Sequence, residues 1–262
     1  MTWHEVWGTY WMEYMGSTGT IGIAIEKLMG SLSACHIVVS EITQEQRRRI
    51  GMKRSIFIVP NGVDLEKIRG IPLSSKRSDV IFAGRLIRDK HVDVLIGALS
   101  LVQKSYPDLR CIIIGRGPEE ERLKAQVFSE NLERNVEFVG FLKDPDDLIG
   151  LMKSSRVCVL PSTREGFGMV ALEARVCGIP VVTADHPGNA IRDLAIIGGV
   201  CVVSLSNEYF SRAIQDSLSI THTPISVTLE EFWDWDAVTR KWLNIPKDLT
   251  RPQEKSSAKG SL

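Results

Sequence analysis

A chain of 262 residues has room for one large core or two modest ones, and a hydrophobic share of 44% beside 24% charged residues describes a folded globular protein, not a disordered one. Lys plus Arg number 32, as do Asp plus Glu, so no global field steers nucleic acid, and an anionic ligand has to be met by local basic groups. The five cysteines, Cys35, Cys111, Cys158, Cys177 and Cys201, are widely spaced, mostly in apolar runs, and form no CxxC pair, which reads as reduced core residues and argues against a zinc site. No apolar run approaches the roughly 20 residues of a spanning helix. "MTWHEVWGTYW" lacks the basic start and apolar centre of a signal peptide, so the expected location is the cytosol, at most touching a membrane surface.

Taken in chain order, the first 59 residues predict a helix over about Ile21–Ser33, a strand "CHIVVS", a helix over about Thr43–Ile50, and a strand "SIFIVP" ending at the turn "NGVD". Two strand units are too few for a stable Rossmann-like sheet on their own. From about residue 79 short β-branched runs alternate with helical stretches: "DVIFAG", "RCIIIG", "VEFVGF", "VCVLP", "PVVTA" and "GVCVVSL". Near-continuous apolar runs fit strands covered on both faces, and Val92, Leu95, Ile96 and Leu99 show the helical spacing of the segments between them. The implied class is α/β with a doubly wound parallel sheet. The segment after Asp248 is polar and is expected to be disordered.

In open parallel sheets ligands sit beyond the carboxyl ends of strands, and the chemistry-bearing residues fall at such places. After "DVIFAG" come Gly84 at the turn and Arg85 and Lys90 five apart, able to converge on one anion or to serve as solvated surface charges. "GRGPEEE" resembles the start of a dinucleotide fingerprint without its third glycine, and reads as a structural turn into an acidic first helical turn. "PSTREGFGMVALE" places Gly166 and Gly168 before a helix starting near Phe167 or Gly168, so that backbone amides and helix N–H groups converge on an anion seat. Glu165 then faces whatever extends from a distal phosphate, and Glu173 the other end of the ligand; a capping Glu165 and a solvated Glu173 have the same spacing. Asp144-Pro145-Asp146 and Asp234-Trp235-Asp236 match D-x-D but read as helix caps. With Arg85, Lys90 and the helix dipole supplying counter-charge, no metal or other cofactor is called for.

Residues 56–242 resemble glycosyltransferase family 4, retaining nucleotide-sugar-dependent transferases of the GT-B fold. The resemblance is carried in order by "VPNGVDLEKI", "FAGRLIRDKHVDVLIGAL", "IIIGRGPEEERL", "VEFVGFL" and "PSTREGFGMVALEARVCGIPVV", the last an E-x7-E signature. It implies that Arg85 and Lys90 hold the donor diphosphate and Glu165 contacts the transferred sugar. It further implies that amides over Gly166, Phe167, Gly168 and Met169 contact sugar and phosphate, Glu173 bonds the ribose, and the loop around Phe141 and Leu142 lies against the base. "TWHEVW" resembles the stretch carrying a histidine beside the transferred sugar, which would make His4 that residue; the loop from His186, with Asn189 opening the next helix, would lie near the acceptor side. The implied domains are 1–60, a remnant of an acceptor-side domain lacking about three βα units; 61–228, the nucleotide-sugar-binding domain; 229–248, a helix crossing back, with Trp233, Trp235 and Trp242 as packing residues; and 249–262, a disordered tail. The implied function is transfer of a sugar from a nucleoside diphosphate sugar to a glycan, lipid or small-molecule acceptor, with room for a partner chain to supply the absent half and no role for nucleic acid. The alternatives are a non-catalytic nucleotide-sugar-binding module, one subunit of a split enzyme, or an epimerase of the same architecture.

Overall fold

The computed structural model describes residues 1–32, 35–51, 55–219 and 232–250. The first unit is a three-stranded parallel sheet in the order β1-β2-β3, formed by β1 (Thr2–Trp3), β2 (Cys35–Val38) and β3 (Ser55–Ile58). Period-two alternation divides its side chains: Trp3, Val38, Ile56 and Ile58 cluster with Val6 and Ile50, while Ile37, Cys35 and Phe57 cluster with Val59. Between the strands run α1 (Tyr10–Met15), α2 (Gly19–Leu32) and α3 (Glu41–Arg49). Ser40 caps α3 by accepting from the Thr43 N–H at 3.1 Å. The buried Glu26 carboxylate accepts from the N–H groups of Trp7 and Gly8 at 2.7 and 2.8 Å, and so holds the loop after β1 against α2. On its outer side α2 exposes Ile21, Ile25, Leu28 and Leu32.

The first unit departs from the sequence reading, which anticipated neither β1 nor α1. A two-residue strand is too short to show a period, and its existence rests on pairing 35 residues away, Thr2 with Ile37 and Trp3 with Val38.

The larger unit follows α4 (Leu65–Gly70). Its strands are β4 (Val80–Ala83), β5 (Cys111–Ile114), β6 (Val136–Gly140), β7 (Val157–Leu160), β8 (Val181–Ala184) and β9 (Val200–Val203), all parallel, in the spatial order β6-β5-β4-β7-β8-β9. The chain thus winds outward in both directions from the β4/β7 pair, and the reversal opens a crevice at their carboxyl ends. Strands β4, β5, β7 and β8 are wholly buried, as their unbroken apolar runs require. Helices α5 (Val92–Val102), α6 (Glu120–Ser129) and α9 (Asn207–Ser219) cover one face, and α7 (Pro145–Lys153), α8 (Met169–Val176) and the 3-10 segment Ala190–Ile197 join α4 on the other. Helix α10 (Trp235–Thr250) returns to the first unit, where Val238 and Ile245 pack on Ile37 and Val59. The sequence boundary at 228/229 and residues 251–262 of the expected tail 249–262 lie outside the described residues, while Leu249 and Thr250 belong to α10, so the helix runs past the expected end at 248.

Trp233 behaves as a packing residue, its ring 5.5 Å from Phe167; Trp235, about half exposed, lays its ring over Gly62, and Trp242 is likewise about half exposed.

Candidate active site

The crevice is built by the loops that leave β4 and β7. The first turns through the 3-10 segment Arg88–Lys90 into His91, a non-glycine residue at φ 45°, before α5 begins. Hydrogen bonds join the loops: the Thr163 N–H donates to the Asp89 carbonyl at 2.9 Å, and Thr163 Oγ1 lies 3.0 Å from His91 Nε2. Burial pushes the His91 pKa down, so the ring is neutral near pH 7. Between the loops lies a cavity of about 340 Å3 lined by Gly84, Arg85, Lys90, Glu165, Gly166, Phe167, Gly168 and Met169, with His4 and Glu5 arriving from the first unit. Lys90 Nζ donates to Glu165 Oε1, and the two side chains are only 15% and 20% exposed. Among the described residues Arg85 has no carboxylate within ion-pair distance, so it is the cavity's uncommitted cation.

Two glycines shape the turn into α8. Gly168, its N-cap, sits at φ 91°, where a side chain is strained. A Cβ on Gly166 would lie 2.0 Å from the His4 carbonyl oxygen, so only glycine lets the two units close on each other here. The Gly166 carbonyl accepts from Ser40 Oγ at 2.8 Å and Thr43 Oγ1 at 3.3 Å, which ties the turn to the start of α3. The first N–H groups of α8, free of intrahelical partners as at any helix start, therefore open on the cavity wall that Met169 and Val170 form.

Not every residue singled out in the sequence converges there. Phe167 is buried against Trp233 and faces the cavity from within the core. Glu173 lines a neighbouring hollow of about 200 Å3 with Lys67, Pro145, Asp146 and Trp235, joined to the cavity through Met169. Burial lifts its pKa to about 7. Phe141, largely exposed on the loop after β6, and half-buried Leu142 line neither space. Asn189 is fully buried: it donates to Thr183 Oγ1 and the Ala184 carbonyl at 2.9 Å each, and caps the following segment at the Ile191 N–H. The two D-x-D stretches cap helices, Asp144 accepting from the Asp146 N–H at 2.9 Å and Asp234 from the Asp236 N–H at 3.2 Å. "GRGPEEE" is knitted into the fold, Leu86 N–H donating to the Arg116 carbonyl and Glu119 N–H to the Leu86 carbonyl.

Sequence reasoning missed Glu5, Trp7, Tyr10, Asp89 and Arg164. Arg164 pairs with Glu5 at 2.6 Å and lies 3.7 Å over the Tyr10 ring, while Tyr10 Oη donates to Asp89 Oδ2 at 2.5 Å. Burial first, and then the Asp89 carboxylate, pushes the Tyr10 phenol up to about 12. The run "WHEVWGTYWMEY" was the available signal, an aromatic density with no packing period to account for it.

Residues 64–223 match the family described as glycosyl transferases group 1. The glycogen synthase of Mycobacterium tuberculosis is 33% identical over 138 residues, 51% of this chain and 32% of that protein. The D-inositol 3-phosphate glycosyltransferase of Corynebacterium urealyticum is 31% identical over 218 residues, 75% of this chain and 50% of that protein. The chain thus spans between a third and a half of the length of these two relatives. Among solved structures, sucrose-phosphate synthase from Thermosynechococcus elongatus superposes with a TM-score of 0.78 at 23% identity, over 95% of this chain and 67% of the other. HepE from Anabaena, solved in complex with UDP and glucose, superposes with a TM-score of 0.75 at 21% identity, over 96% and 71%. The fold is the GT-B arrangement of Rossmann-like parallel sheets, and the chain belongs to the group 1 glycosyl transferase family.

Proposed function

We propose that the chain binds a nucleoside diphosphate sugar and transfers its sugar to an acceptor hydroxyl with retention of anomeric configuration. The observation that carries this reading is a single cavity at the β4/β7 crevice where Arg85, Lys90 and the start of α8 meet Glu165. The two cations and the helix N–H groups act on the negative charge that develops on the diphosphate as its bond to the anomeric carbon breaks. The acceptor oxygen bonds that carbon on the same face, and its proton passes to the departing diphosphate oxygen, which balances the step. A same-face course is supported by the state of Glu5, the cavity's other carboxylate: Arg164 and the Trp7 indole N–H hold it, at 2.6 and 3.1 Å, and it is not free to act as a nucleophile. Glu165 and His4 flank the transferred sugar, and Glu173, in the adjoining hollow, bonds the ribose.

Thermal unfolding with UDP, GDP and ADP tests the donor site. At 100 times its dissociation constant a binding nucleotide stabilises by about 2.7 kcal/mol, and Arg85→Ala should remove most of that gain. No stabilisation by any of the three, or an equal gain in the variant, rules the site out. Nucleotide binding without release of nucleoside diphosphate from any nucleotide sugar would favour the binding-module reading.

A further inference from the structure

A second chamber of about 620 Å3 opens beside the donor cavity and shares Glu5, Arg85, Lys90, Glu165 and Gly166 with it. Its far wall is aromatic. Trp7 stands edge-on to Tyr10 and Tyr14, with ring centroids 5.1 and 5.3 Å away, and Tyr14 is 67% exposed. Trp7 and Tyr10 are held in place, Trp7 against Trp11 at 4.5 Å and Tyr10 under the Arg164 guanidinium at 3.7 Å, which leaves Tyr14 as the ring that presents its area to the chamber.

The charges around the chamber cancel locally. Arg164 pairs with Glu5, Lys90 with Glu165 and Arg88 with Glu119. Asp89 accepts from Tyr10, and Glu13 adds a further carboxylate. Among the described residues, Arg85 is the one lining cation without an ion pair, and it also faces the donor cavity. Arg164 Nη2 is buried without a hydrogen-bond partner, which leaves one donor unsatisfied beside the aromatic wall.

We propose that this chamber is the acceptor site and that it takes an uncharged sugar, a proposal that rests on the donor reading above. A pyranose offers an apolar C–H face that lies on the exposed Tyr14 ring and a rim of hydroxyls that can donate to the chamber's carboxylates. Any phosphate carried by an acceptor would lie next to Glu13 and Asp89, would find Lys90 and Arg164 already paired, and would compete with the donor diphosphate for Arg85. Since Glu165 and Lys90 belong to both spaces, a sugar hydroxyl in the chamber can reach the anomeric carbon in the cavity.

Intrinsic tryptophan fluorescence of the full chain, read with whichever nucleotide stabilises it, provides the test. The probes are maltose, methyl α-mannoside and glucose 6-phosphate. At least one uncharged sugar should change the emission saturably and bind more tightly than glucose 6-phosphate. Tyr14→Ala, at an exposed position, should weaken that sugar about tenfold while Tyr14→Phe keeps it, and nucleotide affinity should be the same in both variants. Preference for glucose 6-phosphate, no response to either uncharged sugar, or a Tyr14→Ala variant that binds sugar as before overturns the proposal. A protein that binds sugar through Tyr14 but none of the three nucleotides would instead refute the donor reading.

Discussion

At the level of single residues the site stores two electrostatic imbalances that can be measured. Glu173 is held above its ordinary range, at about 7, by burial. A carboxyl whose folded pKa is raised binds its proton more tightly in the native state, so its contribution to stability is complete below about pH 4.5 and is lost as pH rises towards 7. Glu173→Gln should abolish that loss: the stability difference between variant and parent should grow in the variant's favour from pH 4.5 to 7 and then level off, at on the order of 3 kcal/mol. Urea titrations at several pH values give the curve, and a difference independent of pH would mean that Glu173 is not buried as described. The second imbalance is the Lys90–Glu165 pair. A solvated surface lysine could be removed at little cost to folding, but Lys90 is 15% exposed and already bonded to Glu165. Its removal strands a carboxylate in the cavity wall, so Lys90→Ala should cost about 1–3 kcal/mol in the absence of nucleotide as well as weakening nucleoside diphosphate binding. Adding Glu165→Ala should recover part of the folding loss, and a double-mutant cycle with no coupling would remove the pair from the energetics.

Single elements position these residues, and the turn into α8 shows how. Gly168→Ala would place a Cβ 2.4 Å from Ile191 Cγ1 at a backbone angle of φ 91°. The expected result is a loss of about 2–4 kcal/mol with weaker nucleotide binding, because the start of α8 has to move. Combining it with Ile191→Ala should destabilise by less than the sum of the two changes, since the clash is relieved and only the backbone strain remains; strict additivity of the melting shifts would contradict the contact. Elements of this kind were legible in the sequence where local pattern determines them. The strands β4, β5, β7 and β8 appear as unbroken apolar runs because both faces are buried, and Gly166 and Gly168 mark a turn that other residues cannot make. What stayed hidden depends on pairing across the chain. β1 exists through β2, the Gly166 carbonyl is fixed by Ser40 and Thr43 more than 120 residues earlier, and Arg164 finds Glu5 and Tyr10 only once the two units have met.

For the whole molecule, the two sheets have unequal cores. One contiguous cluster joins β4 through β9 to their helices, whereas the first unit rests on two small clusters, one around Trp3, Val6 and Val38 and one where Ile37 and Val59 meet α10. Fewer buried apolar contacts mean cheaper local opening, so amides of β2 and β3 should exchange with solvent faster than those of β4, β5, β7 and β8. Because α10 supplies Val238 and Ile245 to one face of the first sheet, Val238→Ala should speed exchange in β2 and β3 and leave the large sheet unchanged. The same substitution should also reach the site. His4 enters the cavity on the segment after β1, its carbonyl packed against Gly166, so a loosened first sheet weakens the seat of the Gly166 turn and with it nucleotide binding, though Val238 lines neither the cavity nor the adjoining hollow. Hydrogen exchange measured with and without a binding nucleotide separates the two effects. Ligand should slow exchange in β1 and β2 as well as in the β7–α8 turn if the units close on the cavity together, and protection confined to the large sheet would show that the donor site is complete without the first.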